Sequence, residues 1–306
     1  MGKIAFLFSG QGAQYSGMGR ELTKHSSSVA ALFALADRIR PGTSAQCFSG
    51  SQEELTETKN TQPCLFCVDL AAALALEESD VRADGAAGFS LGEMAALTFA
   101  GMLEQKTGFS LVCRRAVLMD EAARQTDSAM AAVLKLEHKT VEELCRRFAH
   151  LYPVNYNCPG QLVVAGLRQE IEEMKPLVKK AGGRMVPLAV SGGFHSPFMD
   201  GAAKEFAKEL EKVCFQPARI PVYANLTARP YAESEPKELL AQQMKNPVRW
   251  EQTLRRMAED GFDTFIEVGP GKTLTGLVSK TLPDARAFHV EDAETLEITR
   301  KAVLES

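Results

Sequence analysis

The sequence lacks a long apolar run. Its first hydrophobic stretch, Ile4 to Phe8, is far short of the ~20 residues that cross a bilayer and too short for the core of a secretory signal. A charge excess is also missing. Lys and Arg total 35 against 39 Asp and Glu, a net charge of −4 with both signs interspersed, so nothing points to nucleic acid or a membrane surface as a partner. Cysteines are few and odd in number, seven in all. With no secretory signal they read as reduced thiols of a cytoplasmic protein. Cys64 and Cys67 have C-x-x-C spacing, but no second Cys/His pair lies near them to complete a zinc site. They open the apolar run "CLFCVDLAAALAL" and read as core residues of a helix. What remains is an ordinary globular balance, 45% hydrophobic and 24% charged over 306 residues. That length builds one large domain, or one large and one small.

Short apolar runs alternate with helical patterns. "KIAFLF" reads as a buried strand ending in the glycine-rich loop "SGQGAQ", and "GAAGFS" as a second strand ending at Ser90. Helices are expected near 16–25, 28–39, 62–78 and from 91 onward, with 41–52 as a linker. This order implies an α/β fold with a mostly parallel sheet. Residues 127–190 differ: strand, helix, two strands about a Cys-Pro-Gly turn, helix and strand give a βαββαβ order. That is the ferredoxin-like split βαβ unit. We therefore expect a discontinuous larger domain, 1–126 and 191–306, with 127–190 inserted. The larger domain resumes with helices after Pro197, near 235–244 and at 250–260, and with the strand "TFIEV".

Ser90 sits between Gly88 and Gly92. G-x-S-x-G after a strand and before a helix matches a nucleophile elbow. The same letters also read as a helix cap, with Ser90 as N-cap and Glu93 completing a capping box, and the residues alone leave both open. A serine nucleophile needs a base, and five histidines exist. His25, His138, His150 and His289 suit solvated or structural roles. His195 follows a Gly-Gly turn and precedes Ser196-Pro197, in a loop just after the insert, and is the candidate base. The loop after the first strand supplies a second backbone donor for an oxyanion, beside the amide of Leu91. "GPGKTLTG" is rejected as a P-loop, because Ile266 stands where the first glycine is required.

The motifs "FSGQGAQYSGMG", "GFSLGE", "NYNCPGQLVVAG", "GGFHSPFM", "NPVRW" and "EVGPGKTLTGL", in this order and spacing over about residues 3 to 282, resemble the malonyl-CoA:acyl-carrier-protein transacylases. These are the stand-alone relatives of the acyltransferase domains of fatty-acid and polyketide synthases. The resemblance implies an α/β-hydrolase-like core carrying the ferredoxin-like insert. It implies Ser90 as nucleophile, His195 as base, the backbone of Gln243 as the group orienting the histidine, and the amides of Gln11 and Leu91 as oxyanion hole. Arg115 would hold the malonyl carboxylate in a bidentate pair that a lysine could not reproduce. Asn157 and Gln161 would line the cleft.

Two positions carry the specificity question. Phe89 stands where the family usually has histidine. Phe194 goes with malonyl selection by crowding an α-methyl group, a bias of about 1–3 kcal/mol. The resemblance implies ping-pong malonyl transfer from malonyl-CoA to the phosphopantetheine thiol of holo-acyl-carrier protein by a monomer without metal or other cofactor. The rival readings are an acyl-hydrolase acting on carrier-protein thioesters, which the presence of Arg115 opposes, and a non-catalytic carrier-protein-binding homologue, which the presence of Ser90 and His195 opposes. Lys179, Lys180 and Arg184 read as a solvated basic cluster rather than a carrier contact.

Overall fold

Ala5, Phe6, Leu7 and Phe8 are fully buried, as expected of a strand covered on both faces. They form β1 (Lys3–Phe8) in a computed structural model that describes residues 2–231 and 235–305; residues 1, 232–234 and 306 of the expected larger domain lie outside these. Beside β1 run β2 (Gly85–Gly88) and β8 (Phe262–Val268), all parallel. β7 (Val222–Tyr223) flanks β2, and β9 (Arg286–Val290) flanks β8, giving the parallel order β7-β2-β1-β8-β9. Phe8 is in register with Gly88 on one side and Val268 on the other. The loops after β1, β2 and β7 therefore leave the same edge of the sheet together, the edge where α/β folds place their ligands.

A second, antiparallel sheet is made of β3 (Ser128–Leu134), β4 (Leu151–Cys158), β5 (Gln161–Leu167) and β6 (Arg184–Pro187). Its order is β4-β5-β3-β6, that of a ferredoxin-like unit. Strand periodicity sorts its two faces. Ala131, Val133, Leu162 and Val164 pack under the helices His138–Cys145 and Arg168–Lys180, while Met130, Ala132, Val163 and Ala165 turn to the main core. β4 is tied to the larger part through main-chain bonds with Val248, Tyr156 N–H to its carbonyl at 2.9 Å and Val248 N–H to Val154 O at 2.8 Å. A cleft between the two sheets results.

Three local expectations change. Of 16–25, only Leu22–His25 is helical, because Gly17 and Gly19 take φ of 102° and 76°, which a right-handed helix cannot contain. The expected linker holds the helix Thr43–Ser49, and a second helix, Gln52–Thr56, begins at a capping box between Ser51 and Glu54. β9 and the C-terminal helix Ala293–Leu304 were not expected, since half-buried "RAFHV" gives a weak strand signal. Cys64 and Cys67 lie fully buried in the helix Thr58–Glu78. Among the described residues, no helix is long and apolar enough to cross a membrane.

Candidate active site

Ser90 is carried on a turn that only small neighbours permit. A Cβ on Gly88 would stand 1.9 Å from the Gly92 carbonyl carbon, and one on Gly92 would stand 2.4 Å from the carbonyl oxygens of Phe8 and Ser9. The left-handed backbone falls on the serine itself, with φ 54°, a strained state that marks functional turns. Its N–H donates to Asn225 Oδ1 at 2.7 Å, and Asn225 lies just beyond β7. The cap reading does not hold. The helix Gly92–Phe99 starts after Leu91 with no side-chain cap. The Glu93 carboxylate bonds Tyr231, Gln243 and Asn225 instead.

His195 lies 105 residues from Ser90 in sequence, and its Nε2 is 2.7 Å from Ser90 Oγ. Its Nδ1 is 2.8 Å from the main-chain oxygen of Gln243. A carbonyl can only accept, so Nδ1 carries the proton and Nε2 is free to take one from the serine. The ring is buried, its own φ is 59°, and its main-chain N–H donates to Met244 O at 3.1 Å. Burial, and next the Arg115 charge, push the imidazole down to about 4, leaving it neutral at physiological pH. The other histidines stand elsewhere: His138 bonds Cys158 O, His150 pairs with Glu170 and His289 with Glu291, while His25 lines a separate groove.

Of the adjacent arginines, Arg114 is exposed and pairs with Glu209 at 3.5 Å. Arg115, one residue on and so turned by about 100° around the helix, is 1% exposed. It donates to Gln62 Oε1 at 2.7 Å, to Gln243 Oε1 at 2.8 Å and to Ser90 Oγ at 3.4 Å. Burial brings its pKa down to about 10, so it stays charged at neutral pH. Gln243 also donates from Nε2 to Ser90 O at 2.7 Å.

Above Ser90, the main-chain N–H groups of Gln11 and Leu91 donate to no protein acceptor among the described residues. The Gln11 side chain is held by Thr58 at 3.2 Å. Ser90, His195, Arg115 and Phe194 line an inner cleft. Asn157 and Gln161 line an outer one, and Phe89, Gln11 and Asn155 border both. Phe89 stacks edge-on against Trp250 at 5.3 Å, which makes it a wall between them. In "GPGKTLTG", the Glu267 carboxylate accepts the N–H groups of Leu274 and Thr275 at 3.0 and 2.7 Å. A protein anion thus fills the helix N-terminus that a P-loop would offer to phosphate.

Gln62, Asn225, Asn155 and Tyr231, and the contacts of Glu93, were not read from the sequence. A lone glutamine in the apolar run "TQPCLF" and an asparagine closing "VYAN" are the signals that could have found the first two.

Comparison with known proteins places this geometry. The chain matches the acyl transferase domain family over residues 5–301. A malonyl CoA-acyl carrier protein transacylase of Bacillus subtilis is 38% identical over 312 residues, covering 100% of this chain and 98% of the relative. The chain belongs to the malonyl CoA-acyl carrier protein transacylase family. A family member from Synechocystis is 35% identical over 96% of this chain and 99% of its own length. Among solved structures, the Clostridium perfringens transacylase superposes with a TM-score of 0.95 at 33% identity, covering 99% of this chain and 98% of the other. A malonyl-transacylase solved in complex with a type II PKS acyl-carrier protein superposes with a TM-score of 0.93 at 33% identity, covering 98% and 99%. The chain is an acyltransferase, and the α/β-hydrolase-like description fits its parallel sheet beside an antiparallel one.

Proposed function

We propose that this chain moves a malonyl group from malonyl-CoA to the phosphopantetheine thiol of holo-acyl-carrier protein through a malonyl ester of Ser90. Ser90 Oγ attacks the thioester carbonyl while its proton passes to His195 Nε2. The oxyanion is taken up by the amides of Gln11 and Leu91. The C–S bond breaks, and CoA leaves as the thiol with the proton from His195. The carrier thiol then gives its proton to His195, its sulfur attacks the ester, and Ser90 leaves and recovers the proton. Gln243 O orients the base, as a carboxylate does in a triad, but without adding a charge.

The observation that carries this reading is the placing of one buried cation at the nucleophile, Arg115 Nη2 at 3.4 Å from Ser90 Oγ. A buried guanidinium facing a cleft favours an acyl group with a free carboxylate. Intact mass after incubation with malonyl-CoA or acetyl-CoA tests it. A malonyl adduct is expected, absent in Ser90→Ala and much reduced in Arg115→Ala. No adduct with either thioester would overturn the transferase reading, and equal labelling by acetyl-CoA would overturn the role of Arg115.

The same reading treats 127–190 as an inserted subdomain on a discontinuous catalytic domain, 1–126 and 191–306. It places the protein in the cytoplasm, where the seven unpaired cysteines would stay reduced.

A further inference from the structure

The site buries two opposite charges, Arg115 and Glu93, each 1% exposed. They are joined through one carboxamide. Arg115 Nη2 donates to Gln243 Oε1 at 2.8 Å, and Gln243 Nε2 donates to Glu93 Oε2 at 2.7 Å. A cation at the oxygen end and an anion at the nitrogen end disfavour the flipped amide. The same nitrogen donates to Ser90 O, and the Gln243 main chain accepts from His195. Glu93 also takes the Tyr231 hydroxyl and the Asn225 main-chain N–H, at 3.3 Å to each oxygen, while Asn225 Oδ1 holds the N–H of Ser90. Both residues that tether the elbow backbone thus rest on one carboxylate.

We propose, building on the acyl-transfer reading, that Glu93 is a positioning residue: its carboxylate holds Gln243, and through it Arg115 and the Ser90–His195 pair, in reacting geometry. The ionisable groups around it are Tyr231 and Arg115, with His195 beyond Gln243. Burial outweighs the hydrogen bonds and the Arg115 charge and lifts the carboxyl to about 7. Protonation removes the anion opposite Arg115 and leaves the carboxamide orientation unguarded.

The test is the rate of malonyl-Ser90 formation from malonyl-CoA across about pH 5.5 to 9, by rapid quench and intact mass, in wild type and Glu93→Gln. The wild-type rate should rise about tenfold or more through a midpoint near 7, the scale of one charge-assisted hydrogen bond. Glu93→Gln should lack that step and stay at the wild type's low-pH level. A Glu93→Gln variant that keeps the step, or loads at the wild-type rate in alkali, overturns the proposal. Should Glu93→Gln fail to fold, Tyr231→Phe decides. It removes a hydrogen bond that lowers the Glu93 pKa, so the midpoint should move up, and an unmoved midpoint overturns the proposal. A wild type that forms no malonyl-Ser90 at any pH would instead sink the acyl-transfer reading.

Discussion

His195 donates its Nδ1 proton to the main-chain oxygen of Gln243 at 2.8 Å, so the group that orients this imidazole is one that side-chain substitution cannot remove. The Gln243 side chain serves a separate purpose, bridging Arg115, Glu93 and the Ser90 carbonyl.

Gln243→Ala separates these functions. The tautomer of His195 should survive, while Arg115 and Glu93 each lose a partner. At about 1.5–3 kcal/mol for a hydrogen bond to a charged group, kcat/KM for loading malonyl should fall roughly 10- to 100-fold, with a smaller fall for acetyl. Equal falls for both thioesters would place the effect on His195 instead.

Phe194 is 5% exposed and lines the inner cleft with Arg115. Phe194→Leu keeps most of the buried apolar surface but opens space beside the acyl chain. The preference for malonyl over methylmalonyl-CoA should narrow by up to about 1–3 kcal/mol, read as the ratio of kcat/KM values. An unchanged ratio removes Phe194 from selection.

Phe89→His installs the residue that the family resemblance implies at this position. In the proposed mechanism His195 still serves as base, so loading should stay within a few-fold of wild type. The cost falls on the edge-on contact with Trp250 at 5.3 Å, about 0.5–1.5 kcal/mol beyond the area lost, visible as a small drop in Tm. A collapse of loading would give Phe89 a part in the chemistry.

Two buried groups make stability depend on pH in opposite senses. His195 is lowered to about 4, so the unfolded chain binds its proton first, and stability is lost as pH falls from about 6.5 to 4. Glu93 is raised to about 7, so the folded chain holds its proton longer, and stability is lost as pH rises from about 4.5 to 7. Glu93→Gln removes the glutamate's contribution and leaves those of His195 and the other shifted groups in place. The Tm of wild type relative to this variant should therefore decline from about pH 4.5 to above 7. A flat difference would show that Glu93 ionises at an ordinary pKa.

Much of the site was legible because its chemistry is local. Gly88, Ser90 and Gly92 follow a short apolar strand and precede an alanine-rich helix, and that order alone suggests an elbow. His195 stood out by its loop setting. Gln243, by contrast, entered only through the family resemblance, since a main-chain acceptor leaves no mark on residue type. Glu93 was left open between cap and elbow for an equally physical reason. Three residues after a serine, a glutamate satisfies the capping-box pattern, and only Tyr231, 138 residues away, Gln243 and Asn225 draw its carboxylate elsewhere.

The division between chain and fold follows from range. Strand alternation in β3 already separates Met130 and Ala132 from Ala131 and Val133, because successive side chains on a pleated strand must face opposite ways. The close approach at Gly88 and Gly92 likewise allows nothing larger. Which of two adjacent arginines points inward, where the Glu93 carboxylate goes, and which carbonyl meets His195 were settled in tertiary structure. These contacts join residues 25 to 150 positions apart. The contacts of Ser90 and Glu93 with Asn225 depend in turn on β7 and β2 lying side by side, so that the loops after them leave one edge of the sheet together.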